Sequence, residues 1–343
     1  LFGQAGTSAY FLLISPSPSF NGMGGGTGVA VPTADPYSQY YNPANGQPHI
    51  AGITTTYTGY STEWVEELPY SYHIARVALT PQQQGAGCGV SYHRTRLDYD
   101  VIETNKYGRF QPFYQSDAWY LRHSVQDSVW GIPLQYAVGG GLKHVVQQLG
   151  WDDSTKAVNW WGDGGVLVSM PWTFSMPTLP LRLAVTPSLG YSLVNYGGAV
   201  RYPMAGDWKD PAPRLARLGV AGQSAVYWSD RGELLRYTWS RAASDILLKQ
   251  RQPLQYQWGL GDIQIFQDII KGQATTEVIL MTGQEWRIGE TYAWRSGRYQ
   301  ELDAGVDITM RGYGVYPLAL ARALTDIWSV PVVSQLLEYV EVS

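Results

Sequence analysis

Charge is scarce in this 343-residue chain: Asp, Glu, Lys and Arg make up 15% of it, against roughly a quarter in an ordinary soluble domain. Long apolar runs are missing too. No stretch approaches the roughly 18 consecutive apolar residues of a spanning helix. With 45% hydrophobic residues, and with Gly, Tyr and Trp in place of charge, the chain is neither a disordered one nor a coiled coil. Cysteine is limited to Cys88, which excludes a disulfide scaffold and a thiolate-cage metal site. Between Gly87 and Gly89, Cys88 reads as a small hydrophobe. Clustered cations are absent: 24 Lys and Arg are scattered through a chain of net charge −4. Nucleic-acid backbones are bound by clustered cations, so no nucleic-acid partner is expected. The chain begins at Leu1 rather than Met, as expected if a targeting peptide has been removed or the ends trimmed.

The signatures of catalysis are equally absent. His49, His73, His93, His123 and His144 are far apart, with no HExxH pair, so no metal site is expected. The glycine cluster Gly22-Met-Gly-Gly-Gly-Thr-Gly28 lacks the Gly-Lys-Ser/Thr ending, the GxGxxG spacing and the βαβ context of a phosphate loop. There is no GxSxG elbow. The paired acids Asp152–Asp153 and Glu66–Glu67 fall in predicted loops, where a solvated tip explains them. The chain reads as a non-enzyme needing no cofactor, although a bound lipid or detergent molecule is compatible with it.

Glycine (38), Tyr (25) and Trp (14) fill the space that charge leaves. Residues 1–49 stand apart from the rest. A brief apolar run, Tyr10-Phe-Leu-Leu-Ile14, precedes Pro16, Pro18, the glycine cluster, and then Pro32, Pro36, Pro43 and Pro48. Proline at this density prevents long helices and central strands, so an irregular lead with one or two short helical turns is predicted. From about Ile50 the pattern has period two. Leu181, Leu183, Val185, Leu189, Tyr191 and Leu193 alternate with Arg182, Ala184, Thr186, Ser188, Gly190 and Ser192. Similar alternation runs through 218–228, 285–295 and 302–311. This is the signature of β-strands with one apolar face.

Two architectures satisfy that pattern. A soluble all-β protein would hide the apolar faces around an aromatic core and put charge outside. A closed transmembrane barrel would turn them to lipid, with strands of about 9–11 residues per crossing and a polar interior. Several runs here exceed about ten residues, and their polar faces hold Gly, Ser, Thr and Ala rather than Lys and Glu. Aromatics gather at the ends of runs (Tyr37, Tyr40 and Tyr41; Trp119 and Tyr120; Trp160 and Trp161; Tyr227 and Trp228), as they do at a water–lipid boundary. Polar connectors are predicted at Thr62–Ser71, Asp98–Gln115, Gly150–Gly165, Tyr202–Arg217, Gln250–Gln257 and Gly272–Thr276. The barrel is therefore the expected fold: all-β, antiparallel, about fourteen strands over residues 50–343 at roughly 20 residues per strand and connector. Asp303, Asp307, Arg287, Arg295 and Arg311 are expected to form an ion-pair ladder on its inner face. At the C-terminal end, Ala319–Trp328 reads as strand or short helix and Glu338–Val342 as the closing strand.

A resemblance adds to this reading. Tyr10-Phe-Leu-Leu-Ile-Ser15, Phe20-Asn-Gly-Met-Gly-Gly25, Thr27-Gly-Val-Ala30, Asp35 and Ser38-Gln-Tyr-Tyr-Asn-Pro-Ala44 together resemble the N-terminal signature of the PorV family of Bacteroidota outer-membrane barrels, within the broader FadL-like group. Gly87–Tyr92, Lys106–Phe113 and Asp117–Arg122 follow the family's order of strand, loop and strand. The likeness covers about the first 150 residues well and the rest as a strand pattern. High Trp content and the C-terminal stretch depart from it. The resemblance implies that residues 1–49 form a plug or hatch within the barrel, marked by Gly22, Met23, Gly24 and Gly25 and by Asn42, Pro43 and Ala44. It implies a multi-pass protein of the bacterial cell outer membrane whose partners are outer-membrane lipids and other envelope proteins, in type IX secretion or surface attachment. Two alternatives stand beside it. One is a FadL-like channel for hydrophobic small molecules, for which Met170-Pro171 and Met176-Pro177 are candidate strand interruptions. The other is a structural barrel anchoring a larger surface or motility assembly, for which Trp160, Trp161 and Trp208 are candidate contacts.

Overall fold

The computed structural model of the chain describes residues 8–33, 35–46, 52–62, 65–83, 86–104, 108–228, 232–250, 255–289 and 291–316. The two C-terminal expectations, at 319–328 and 338–342, lie outside the described residues.

The lead is made of short helical turns, as its prolines and glycines dictate, at Tyr10–Leu13, Pro18–Gly22, Thr27–Val29 and Ser38–Tyr41. There are four of them, two more than the sequence pattern predicts. The second is capped by Ser17, whose Oγ accepts from the Phe20 amide at 3.2 Å, with Pro18 just inside. That is where a residue without an N–H does no harm.

After the lead the described residues are mainly antiparallel sheet, with short helical turns in the connections at Asp153–Thr155, Pro203–Ala205 and Ile265–Lys271. The strands are β1 (Gly52–Thr62), β2 (Val65–Gln83), β3 (Ala86–Asp98), β4 (Ile102–Thr104), β5 (Gly108–Phe110), β6 (Phe113–Val129), β7 (Ile132–Gln148), β8 (Lys156–Ser169), β9 (Trp172–Ser175), β10 (Leu181–Gly197), β11 (Leu215–Trp228), β12 (Gly232–Ile246), β13 (Leu248–Gln250), β14 (Gln255–Tyr256), β15 (Ile279–Ile288), β16 (Tyr292–Glu301) and β17 (Val306–Val315). Thirteen of them form one sheet in the order β1-β2-β3-β6-β7-β8-β10-β11-β12-β15-β16-β17, with β9 pairing β10 beyond the end of β8. β4–β5 and β13–β14 are small hairpins in the connections. Among the described residues β1 and β17 are the ends of the order, and no pairing joins them.

Sequential antiparallel strands put their connections alternately at two rims. At one rim the connections are short: 84–85, Trp130–Gly131, 229–231 and 289–291, together with the longer 170–180 that carries β9. At the other they include 99–112, 198–214 and 247–278. Two predicted connectors are corrected. Residues 62–71 are mostly β1 and β2, and the connector predicted at 150–165 is confined to 149–155 because β8 begins at Lys156. Glycine and charge in Trp160-Trp-Gly-Asp-Gly-Gly165 read as a loop, yet they occupy strand, where Gly165 leaves room for Asn42 and Pro43 of the lead and Asp163 pairs with Lys143.

Register assigns the two faces. One row of cross-strand partners runs Val138–Val166–Tyr191–Leu218–Ala243–Leu280–Gln300–Asp307. The next row, on the opposite face, runs Gly139–Gly165–Ser192–Arg217–Ser244–Ile279. On β6–β8 the first face is the exposed one, with Leu121 at 54%, Val138 at 52% and Trp160 at 54% of full exposure, while Ser124, Lys143 and Asp163 on the second face are buried. The usual partition of a soluble sheet is reversed: large apolar side chains stand outside and small or polar ones inside.

The main buried cluster lies between the inner face and the lead. Phe11, Phe20, Tyr40 and Tyr41 pack there with Tyr70, Tyr72, Leu97, Val145 and Trp161. Tyr37, Tyr40, Tyr41 and Trp161 are thus core residues and not boundary aromatics. Neighbours on a strand point to opposite faces, so of the pair Trp160–Trp161 only the first faces out. The lead touches strands across the order, from β3 through β10, β11, β12 and β15 to β16 and β17.

Candidate functional site

The residues that carry the lead's signature meet the inner face at its glycines. Asn42 is fully buried; its amide donates to the carbonyls of Val29 and of Val166 on β8, both at 2.9 Å, and its Oδ1 accepts from the Ala44 amide at 3.0 Å. Asn can serve two carbonyls and an amide at once because its side chain carries both donors and acceptor. Pro43 and Ala44 then lie directly on β7. A Cβ on Gly139 would sit 2.1 Å from the Pro43 carbonyl oxygen, and one on Gly165 would sit 2.1 Å from Asn42 Oδ1. Gly22, Met23, Gly24 and Gly25 make the same kind of approach at the far end of the strand order. A Cβ on Gly283 or Gly297 would come within 2.2 Å of Met23 or Gly24 backbone, and Gly22 stands against Gly312. Gly24 and Gly25 both have φ near +90°, a conformation for which glycine is needed.

Polar side chains from the inner face secure the lead's remaining backbone. Arg122 Nε donates to the Ala44 carbonyl (2.7 Å), Arg217 to that of Tyr40 (2.9 Å), Ser192 Oγ to that of Tyr41 (2.7 Å) and Ser188 Oγ to that of Ala30 (2.7 Å). Gln39 Oε1 accepts from Ser91 Oγ at 2.6 Å and stands 3.1 Å from His93 Nε2. Within the lead, Asp35 accepts from the Tyr37 amide at 2.8 Å and from Ser17 Oγ at 3.2 Å. Burial raises its pKa above the ordinary carboxylate value, against the pull of those donors and of Arg295 and Arg76. Burial likewise pushes the Tyr40 hydroxyl up to about 12, opposed by the Arg217 charge. These groups hold structure and present no nucleophile or base to solvent.

The inner face also carries ion pairs of its own. Lys143 Nζ is 2.8 Å from Asp163, which accepts from Tyr120 and from the Asn195 amide as well, each at 2.7 Å. Arg295 meets Glu285 at 2.6 Å and Arg287 meets it at 3.4 Å. The expected ladder is therefore half right: Arg287 and Arg295 belong to it, with Glu285. Asp307 and Arg311 stand exposed on the outer face of β17, where Asp307 pairs with Arg298, and Asp303 lies in the exposed turn at Leu302–Gly305. Alternation fixes which residues share a face but not which face is inside, and β17 turns its apolar Met310 inward.

Between the lead and β11–β17 lies a cavity of about 360 Å³, lined by Leu13, Ile14, Ile279, Met281 and Met310 with Arg217 and Glu301 at its polar edge. The candidate interruption at Met170-Pro171 is real: it separates β8 from β9, and pairing of β7 with β8 stops at Gln135–Ser169. Met176-Pro177 lies past β9, in the connection to β10. Neither touches the cavity. Sequence reasoning missed Arg122, Arg217, Ser188, Ser192 and the receiving glycines. The available signal was glycine recurring at inward parity on neighbouring strands, as at Gly139–Gly165 and Gly283–Gly297. A scan against protein-family models and a search of curated proteins give no match to this chain.

Proposed function

We propose that the chain is an outer-membrane β-barrel of about fourteen strands, closed around its N-terminal lead as a plug, and that it works without catalysis as a protein-binding component of secretion or surface attachment, as its PorV-like signature implies. The observation that carries the membrane part is the reversed wall. On β7 the outward positions from Ile132 to Leu142 are Ile, Leu, Tyr, Val, Gly and Leu. That length is about 34 Å of strand, or about 26 Å along the barrel axis at the roughly 40° tilt such walls adopt, close to the height of a lipid-facing band. Tyr92, Trp119 and Trp160 stand as neighbours at the edge of this band, 5.8 and 6.2 Å apart between rings, and Trp130 projects from the short turn at the opposite rim. Aromatics at both margins suit a protein seated between two headgroup layers. Short turns at one rim and long connections at the other add to the same reading.

The protein-binding part rests on what the interior leaves available. A lead tied by side chains of β3, β6, β10 and β11 and by the Val166 carbonyl of β8 occupies the inner face, whereas the long connections at one rim offer surface to a partner. A hydrophobic-solute channel is the second reading, favoured by the apolar cavity; against it, the wall interruption at Met170-Pro171 and the cavity do not meet. Extraction of outer membranes in mild detergent, followed by sizing and identification of co-eluting proteins, tests the proposal. It expects detergent-dependent solubility and recovery with envelope proteins. A lone monomer in gentle detergent sinks the partner role, and solubility without detergent sinks the barrel.

A further inference from the structure

The connection between β12 and β15 behaves unlike the others: part of it folds back over the outside of the wall. Leu247, Ile263, Ile269 and Val278 are buried against Ala216, Leu218 and Ala243, with Tyr191, Leu193 and Val220 at the margin. By register, Leu193, Tyr191, Leu218, Val220 and Ala243 are outward positions of β10–β12. Polar ties hold this strap down. Tyr191 Oη donates to the Gly259 carbonyl at 2.8 Å, and Arg241 donates to the carbonyls of Ile269 and Ile270 at 2.8 and 3.0 Å. The Asp262 amide donates to Asp245 at 2.7 Å. A π-helical turn at Ile265–Lys271 gives the strap two sides. One is spent on the wall. The other exposes Trp258 (74%), Ile265 (54%), Phe266 (65%) and Ile270 (61%), and Lys271 Nζ stands 4.9 Å from the centre of the Phe266 ring.

We infer that residues 257–271 are a lipid anchor: the strap lies in the headgroup–acyl boundary of the leaflet on the long-connection side, with Phe266, Ile265, Ile270 and Trp258 among acyl chains and Lys271 reaching up to headgroup phosphates. The inference rests on the reading of the wall as lipid-facing. Three observations favour lipid as the occupant. The strap-bound Tyr191 is followed on the same face of β10 by the exposed apolar Leu189. The strap covers the loop-side margin of β10–β12, the margin that Tyr92, Trp119 and Trp160 mark on β3–β8. A short amphipathic segment with aromatic and aliphatic residues on one side and a cation at its border is what an interface plane accepts, and a lysine there can keep its stem in hydrocarbon and its ammonium in water.

The test uses the full chain in phosphatidylcholine–phosphatidylglycerol vesicles, with Cys88→Ala as background and single spin labels introduced by Phe266→Cys, Ile270→Cys, Val138→Cys and Trp208→Cys. Collision with oxygen, which partitions into acyl chains, is compared with collision with a water-soluble nickel chelate. The expected result is an oxygen-to-nickel ratio at 266 and 270 several-fold above that at 208, an exposed position on the connection 198–214, and close to that at 138 on the wall. A water-like ratio at 266 and 270 with a lipid-like one at 138 overturns the anchor and leaves the barrel standing. Exclusion of both reagents at 266 and 270 also overturns it, in favour of a protein cover. A water-like ratio at 138 overturns the barrel reading itself.

Discussion

The wall at β6–β8 and the wall at β15–β17 are alike inside and unlike outside. Both present glycines to the lead: Gly139 and Gly165 beneath the Pro43 backbone and the Asn42 side chain, Gly283 and Gly297 beneath Met23 and Gly24. Both carry buried ion pairs beside those contacts, Lys143–Asp163 in one and Arg295–Glu285 in the other. Outside, the row that starts at Val138 and Val166 ends at Gln300 and Asp307, and on β15–β17 the apolar outward residues, apart from the buried Leu280, lie in the two rows nearest the short turn, among them Trp286, Ile288, Trp294, Tyr292, Tyr313 and Val315. Farther from that turn stand Thr282, Gln284, Ser296, Arg298, Thr309 and Arg311. The inner face is set by what the lead requires, and that requirement is uniform along the order. The outer face is set by surroundings, and these change around the wall.

The largest effect should separate the two outer faces. Val138→Arg, in the apolar stretch of β7, is expected to cost about 2–4 kcal/mol of folding free energy in vesicles, and Thr309→Arg on β17 about 0–1 kcal/mol, the range seen between mid-bilayer and margin. Urea titration of both variants measures the gap, and equal losses would erase the distinction. The inner faces should respond alike. Gly139→Ala and Gly297→Ala each force a methyl against lead backbone and should each lose roughly 1–3 kcal/mol, whereas Gly164→Ala, with open space at its Cβ, should change little. Unequal losses at 139 and 297 would show that one end of the lead is held more loosely. Asn42→Ala strands the Val29 and Val166 carbonyls and is expected to cost about 1–3 kcal/mol, with protease cleavage appearing first within residues 29–46. The smallest effect concerns the strap, where burial raises the Asp268 carboxyl above its ordinary value. An acid with a raised folded-state pKa favours the folded form at low pH and loses that contribution as pH climbs through the folded value. A label at position 266 should therefore become more mobile on alkalinisation, and Asp268→Asn should remove the dependence.

How much of this was legible depends on what each residue's neighbours decide. Period two at Leu181–Leu193 or Trp286–Trp294 is local, so the strands and their apolar faces could be read directly. The same pattern at Val306–Arg311 suggests the opposite side inward from the one the structure shows, because period two is symmetric and only the cavity next to Met310 breaks the tie. Trp160-Trp161 shows a second limit: two aromatics mark a boundary in composition, yet the pleat sends one to the outer face and the other to the core. The Asn42-Pro-Ala44 triplet could be singled out, but not Arg122 or Gly165, which matter only because β6 and β8 pass beneath it. The strap was the least visible element: Ile263 and Ile269 fall between the connectors predicted at 250–257 and 272–276, yet they belong to one long connection with a π-helical turn, which only the outer wall beneath them explains.

That Gly22 rests on Gly312 makes assembly a problem of timing. The lead is synthesised before the strands, and the surface that receives its glycine turn comes far behind it in the chain, so the lead must wait while hairpin after hairpin is added. Contacts between such distant parts of a chain form late and slowly, and here they come only when β16 and β17 are in place to meet the lead. Until then Phe11, Phe20 and Tyr41 have no cover of their own, which makes the unfinished molecule the form most in need of a chaperone.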